Sequence, residues 1–181
     1  MAVSDVSRRQ VLQTAAAVGV VGAAGCGGGD GGDGSDGGGG SGDASVPPED
    51  YPSIDEWLTE TAIGGADDTY AGSLTDHRDN ASLTVDVGAE GNDGNFAYAP
   101  SAVVVSTGTE VRWNWTGEGN PHNVEALPEE QLGESDYEFS SGEAVGGSGV
   151  KYTRTLEESG VALYHCEPHL SLGMKGGIAV E

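Results

Sequence analysis

The chain has 181 residues, with 30 Asp or Glu against 7 Lys or Arg and a formal net charge of −23. That balance excludes nucleic-acid binding, because a phosphate backbone would be repelled. Its 2 cysteines, Cys26 and Cys166, are too few for a disulfide framework.

Residues 1–25 are read as a signal peptide. Ser7-Arg8-Arg9-Gln10-Val11-Leu12 is a twin-arginine pattern, followed by an apolar stretch from Val11 to Ala24. A run of about 14 residues is too short to span a bilayer and suits a signal core. It ends in Ala23-Ala24-Gly25-Cys26, the small-residue approach to a cysteine that lipoprotein processing requires. Cys26 is therefore the expected lipidation site, and the protein is expected on the outer face of the cell membrane. An uncut apolar anchor is the alternative, and it too leaves the domain outside and tethered. Residues 26–50 are Gly, Asp and Ser with almost nothing apolar. Such a segment cannot pack a core and reads as a disordered acidic linker.

Residues 51–181 are read as the folded domain. Pro52 to Leu58 forms a short helix, with Ser53 and Glu56 as a capping box and Ile54, Trp57 and Leu58 on one face. Short strands follow at Leu83–Val87, Ala102–Val105, Glu110–Trp115, Val150–Leu156, Val161–His165 and Gly177–Val180, separated by turn clusters such as Glu90–Asn95 and Gly117–Asn120. This pattern predicts an all-β domain, one antiparallel β-sandwich. Leu127 to Gly149 reads as a surface excursion with one short strand near Tyr137–Phe139. Asn80 and Asn114 begin Asn-x-Ser/Thr sequons, of which Asn80, in a loop, is the better acceptor.

The chemistry lies near the end of the chain. Cys166-Glu167-Pro168-His169-Leu170-Ser171-Leu172-Gly173-Met174 places a thiol, an imidazole and a thioether on one loop. Pro168 ends the preceding strand, and Gly173 permits a second bend before Met174. His122 stands upstream in Gly119-Asn120-Pro121-His122-Asn123-Val124. Two imidazoles, a thiolate and a thioether are the ligand mix of a mononuclear blue-copper centre. Thiolate and thioether suit Cu(I), imidazole suits Cu(II), and a set holding all of them serves both states. Read singly, the Cys and Met would be core filler and each His a solvated loop residue. The spacing makes the joint coincidence improbable. With Cys26 lipidated and Cys166 on copper, no disulfide remains.

The Gly117–Val124 segment and the Cys166–Gly176 loop resemble those of the halocyanins, haloarchaeal relatives of plastocyanin in the cupredoxin superfamily. Val87 to Pro100 and Val111-Arg112-Trp113-Asn114-Trp115 fit the same family, so the resemblance covers roughly residues 54–181. It implies a cupredoxin-like Greek-key sandwich holding one type 1 copper. It also implies His122, Cys166, His169 and Met174 as ligands, with Asn123 bracing the copper loops. Asn120-Pro121 departs from the glycine-rich run expected before the first ligand, and Pro121 should stiffen that loop.

The expected function is a membrane-tethered one-electron carrier, not an enzyme, acting as a monomer. Its redox partners would be a membrane oxidase or a quinol-oxidising complex, met through an apolar patch of Pro168, Leu170 and Leu172 around His169, together with Gly119 and Pro121. Copper storage or delivery is the second reading. It would favour Met- or His-rich tracts, whereas this chain has 2 Met and 4 His. A copper reductase is the third. His165-Cys166 resembles the step that links two copper sites in such enzymes, but adjacent strand residues face opposite sides. The acidity runs through linker and domain alike, which favours adaptation to concentrated salt over a localised docking patch. At molar salt the Debye length is roughly 3 Å, so long-range steering is nearly silent.

Overall fold

The computed structural model describes residues 44–126 and 135–181. The signal peptide, most of the linker including Cys26, and residues 127–134 of the surface excursion lie outside the described residues.

The strands in chain order are β1 (Ser45–Val46), β2 (Leu74–Asp76), β3 (Ser82–Gly91), β4 (Gly94–Ala99), β5 (Ala102–Val105) and β6 (Thr109–Thr116). They continue as β7 (Glu125–Ala126), β8 (Phe139–Ser140), β9 (Ser148–Leu156), β10 (Gly160–His165) and β11 (Lys175–Val180). A helix, α1 (Pro52–Thr59), precedes β2. One sheet has seven strands in the order β1-β2-β5-β11-β10-β7-β8, the other four in the order β4-β3-β6-β9. The expected sandwich is present, but its pairing is mixed. β2 with β5, β5 with β11 and β3 with β6 run parallel. None of these pairs is joined by a hairpin: the chain between the two strands passes through other segments, so they can run the same way.

Two apolar clusters explain the layers. Val85, Val87, Tyr98, Val103, Val105, Val111, Trp113, Ile178 and Val180 belong to one core cluster, with Cys166 and Met174 at its end. Ile54, Trp57 and Leu58 of α1 join Leu74, Val104, Leu163 and Ala179 in the other. Strand alternation separates the two sets, since Val103 and Val105 fall in the first and Val104 in the second. β5, β10 and β11 are thus covered on both faces, which is why Ala102-Val103-Val104-Val105 is apolar throughout. Burying each of the three apolar side chains of α1 contributes about 1.5–3 kcal/mol.

Three local readings are corrected. The capping box does not form, because Pro52 takes the first helical position and makes Tyr51 the N-cap, with no side-chain cap. Ile54 and Asp55 instead donate to the Tyr51 carbonyl. The ordered domain also begins before residue 51, since β1 pairs with β2, Val46 opposite Leu74, and Val46 is buried. A two-residue strand that gains its pairing 28 positions downstream has no periodicity to betray it. Finally, Glu90–Asn95 is not all turn. Asn92 and Asp93, the non-glycine residues of positive φ at 56° and 61°, make the turn, and β3 and β4 run right up to them as a hairpin.

Candidate metal centre

The loop after β10 is bonded to itself. Residues Glu167–Leu172 form a 3-10 turn, with the His169 N–H on the Cys166 carbonyl at 3.1 Å. Gly173, at φ 97°, ends the turn in the left-handed region. The Cys166 N–H then donates to the Met174 carbonyl at 3.0 Å, closing the loop across its mouth. The short turn is what turns His169 back toward Cys166.

His122 comes from the chain after β6. It forms a two-way bridge with Val145, at 3.0 and 2.9 Å, and the indole N–H of Trp115 donates to both carbonyls. The Leu127–Gly149 excursion, read from sequence as surface, thus supplies a support for the first imidazole. The Nε2 of His122 lies 3.2 Å from the Glu118 carbonyl, which can only accept. Nε2 therefore carries the proton, and Nδ1 is left with a free lone pair.

His122, Cys166 and His169 converge, all three buried. The Cys166 Sγ lies 3.7 Å from His122 Nδ1 and 3.3 Å from His169 Nδ1. Donor atoms sharing one ion through bonds of about 2.0–2.3 Å stand roughly 3.3–3.8 Å apart, so both spacings from Cys166 fit one small metal ion. Burial pushes both imidazoles below the usual histidine range, which keeps them neutral and able to donate a lone pair. Burial pushes the Cys166 thiol up to about 11, although backbone N–H groups of Asn123 and His169 oppose it. A bound cation reverses that preference and holds the thiolate. Met174 is fully buried in the same cluster as Cys166. Soft sulfur plus imidazole in a dry pocket is the donor chemistry of type 1 copper.

Several supports escaped the sequence reading. Phe96 of β4 lies across the His169 ring, with centroids 4.7 Å apart. Tyr98 donates to the Asn123 carbonyl at 2.7 Å. Asn92 donates to the carbonyls of Gly173 at 3.1 Å and Phe96 at 2.8 Å, and its own carbonyl accepts the Asp68 N–H. The Asn-Asp-Gly turn was visible in the sequence, but nothing local shows that Asn92 reaches a loop 81 residues away. Asn123, expected as a brace, accepts the Glu167 N–H at 2.9 Å and donates to Gly142 and Glu125.

The other histidines stand apart. His165 occupies the opposite face of β10 from Cys166, edge-on to Trp57 at 6.2 Å. Burial, followed by the charge of Lys175, pushes it down to about 4. His77 lies after β2, its N–H on the Val104 carbonyl. Among the described residues no second metal-binding cluster involves either. Asn80 is exposed in the loop before β3, whereas Asn114 lies within β6 with its carboxamide on Asp86 at 2.7 Å.

Residues 84–181 match the model of the copper binding proteins of the plastocyanin/azurin family. The chain belongs to this family. It is 44% identical over 112 residues to halocyanin of Natronomonas pharaonis, covering 62% of this chain and 64% of that protein. The chain thus spans less than two thirds of that relative's length. Plastocyanin A/B of Petroselinum crispum is 33% identical over 92 residues, 50% of this chain and 93% of that one. Among solved structures, an oxidised amicyanin mutant aligns at 29% identity with a TM-score of 0.41, over 55% of this chain and 82% of that chain. Copper binding belongs to this family of cupredoxins, and the His-Cys-His group is consistent with a single type 1 copper.

Proposed function

We propose that this protein is a one-electron carrier tethered to the outer face of the cell membrane. The observation that carries this reading is the convergence of His122, Cys166 and His169 in a buried, preformed pocket. When bound, copper supplies a Cu(I)/Cu(II) couple. His122, Cys166 and His169 hold the ion, and Met174 adds a weak thioether donor. The loop hydrogen bonds, the Asn123 brace and the Trp115 clamp keep the donors in one arrangement, so little has to move when the charge changes. His169 is 7% exposed and provides the short path out, with the exposed Leu172 on the same turn and the exposed Pro121 next to His122. In brine that apolar surface, rather than charge, would carry docking. The partners are a membrane oxidase or a quinol-oxidising complex. Reduction of a purified membrane oxidase by the Cu(I) protein is the check, and its failure with every candidate acceptor would reject that role.

Cys166→Ser tests the site. The copper-loaded protein should show intense thiolate-to-Cu(II) absorption, and the variant should lose it. A variant that keeps the colour would remove Cys166 from the ligand set. The tether rests on the twin-arginine and Ala-Gly-Cys26 patterns, and among the described residues no helix is long and apolar enough to cross a membrane. Mass spectrometry of the membrane-bound form should find lipid on Cys26, and an unmodified Cys26 would overturn that part.

A copper reductase finds less support. It would need a second set of ligands, and His165 is buried against Trp57 of α1. Storage or delivery would need an exchangeable, exposed site, whereas these donors are buried. Rapid loss of copper to a chelator would favour storage.

A further inference from the structure

Directly after Met174, β11 begins with a lysine that has no exposed surface at all. Its side chain passes to the face opposite the metal pocket and ends beneath α1. The Lys175 Nζ donates to the Trp57 carbonyl at 3.1 Å, the Glu60 carbonyl at 3.1 Å and the Glu60 carboxylate at 2.9 Å. It also sits 4.2 Å from the centre of the Trp57 ring. All three ammonium protons thus have acceptors. Trp57 and Glu60 stand at the C-terminus of α1, where carbonyls are otherwise unpaired and the helix presents partial negative charge. The Asp67 N–H satisfies a third of these carbonyls, that of Leu58.

A buried ion pair is a weak source of stability, because desolvation offsets the attraction. This placement therefore calls for another account, and the position supplies one. Lys175 follows Met174 in the chain and stands opposite His165, the neighbour of Cys166, in the β10–β11 register. The two members of the pair are not equally wet. The Lys175 side chain is 0% exposed and that of Glu60 is 22% exposed. Water and salt screen the carboxylate more than the ammonium, so an uncompensated share of positive charge remains behind the ligand loop.

We propose that Lys175 is a positioning residue for electron transfer: its ammonium clamps the end of α1 to the strand that follows Met174 and holds a fixed positive charge behind the metal pocket, raising the reduction potential. The inference rests on the copper reading above. A fixed cation opposes the extra positive charge of the oxidised site, so the reduced form is favoured. The clamp also makes α1, the first helix after the linker, part of the support of the ligand loop.

The experiment uses the full copper-loaded chain and three variants. Lys175→Met should lower the reduction potential in dilute buffer and still lower it in molar salt. Glu60→Gln keeps an acceptor for Lys175 but removes the countercharge, so it should raise the potential. Lys151→Gln, at an exposed position, should give a small shift that vanishes in molar salt. In the metal-free protein, amide exchange over residues 57–66 should be faster in Lys175→Met than in wild type. Opposite signs for the first two variants, with the Lys175 shift surviving salt, support the proposal. Shifts of the same sign, no shift, or a Lys175 shift erased by salt would overturn it, because a merely structural role does not reverse sign with charge. Should Lys175→Met fail to fold, the sign of the Glu60→Gln shift decides. A wild-type protein without a blue band would refute the copper reading instead, while amide exchange would still report on the clamp.

Discussion

The Asn123 carboxamide oxygen accepts the backbone N–H of Glu167 at 2.9 Å. The residue after His122 thus holds the residue after Cys166, and the two segments cannot drift apart without breaking a part-buried bond. Both sides of the carboxamide are used, since its nitrogen donates to the Gly142 carbonyl at 3.2 Å and to Glu125 at 3.1 Å.

Asn123→Ala leaves the Glu167 N–H and the Gly142 carbonyl without this partner. A loss of about 0.5–1.5 kcal/mol is expected, since both bonds are part-buried and water can reach the freed groups. Denaturant unfolding of the metal-free protein measures it. The copper form should also exchange metal faster. Unchanged stability together with unchanged copper retention would show that Asn123 does not brace the loops.

Gly173 closes the ligand turn at φ 97°, and a Cβ there would meet the Ala66 carbonyl oxygen at 2.1 Å. The two nearest atoms, the oxygen and carbon of the Ala66 carbonyl, are both backbone, so backbone must move. Gly173→Ala should cost about 2–4 kcal/mol, combining the left-handed penalty with overpacking. A thermal midpoint within a degree or two of wild type would contradict this packing.

Met174, as the expected fourth donor, should tune the site rather than hold the metal. Met174→Leu removes a weak donor to the oxidised ion and leaves a drier site, so the colour should remain and the potential rise. Met174→Gln offers a harder oxygen that prefers Cu(II), so the potential should fall. Voltammetry of the two variants decides the matter. Equal potentials, or shifts in the reverse order, would place Met174 in the core alone.

Asp67 gives a pH signature. Burial raises its carboxyl above the ordinary value of 3.8, against hydrogen bonds from Thr69, Asn92 and Ser101. A carboxyl raised in the folded state favours folding when protonated. Its contribution is full below about pH 3.8 and is lost as pH rises through the folded value. Asp67→Asn removes this loss, so the difference in stability between variant and wild type should move in favour of the variant as pH rises from about 4. Chemical denaturation at several pH values tests it, and a difference independent of pH would exclude the linkage.

The excess of carboxylates should make the fold salt-dependent. With a net charge of −23, repulsion in dilute buffer is screened as salt rises toward molar. The thermal midpoint should climb over that range. A flat or falling midpoint would argue against adaptation to brine.

The sequence by itself pointed to the donor chemistry, because three of the four expected donors lie within nine residues and a proline and a glycine govern the bends between them. It also determined most strands of the sandwich, whose apolar runs need only local alternation to be seen. β5 was legible to the residue, since Ala102–Val105 is covered on both faces and bounded by turn residues. What only the tertiary structure decided depends on partners far along the chain. β1 exists because Ser45 and Val46 meet Thr75 and Leu74, in a stretch whose own composition reads as linker. Asn92 reaches Gly173, and Val145 holds His122, across loops that carry no periodic signal. Lys175 is the clearest case. A lysine in an acidic chain reads as surface, and its burial follows only when α1 folds over β11 and presents two carbonyls, a carboxylate and an indole ring to one ammonium. Local patterns encode which atoms can bind copper, whereas the surroundings that tune and brace them are set by long-range packing, which no short window of residues contains.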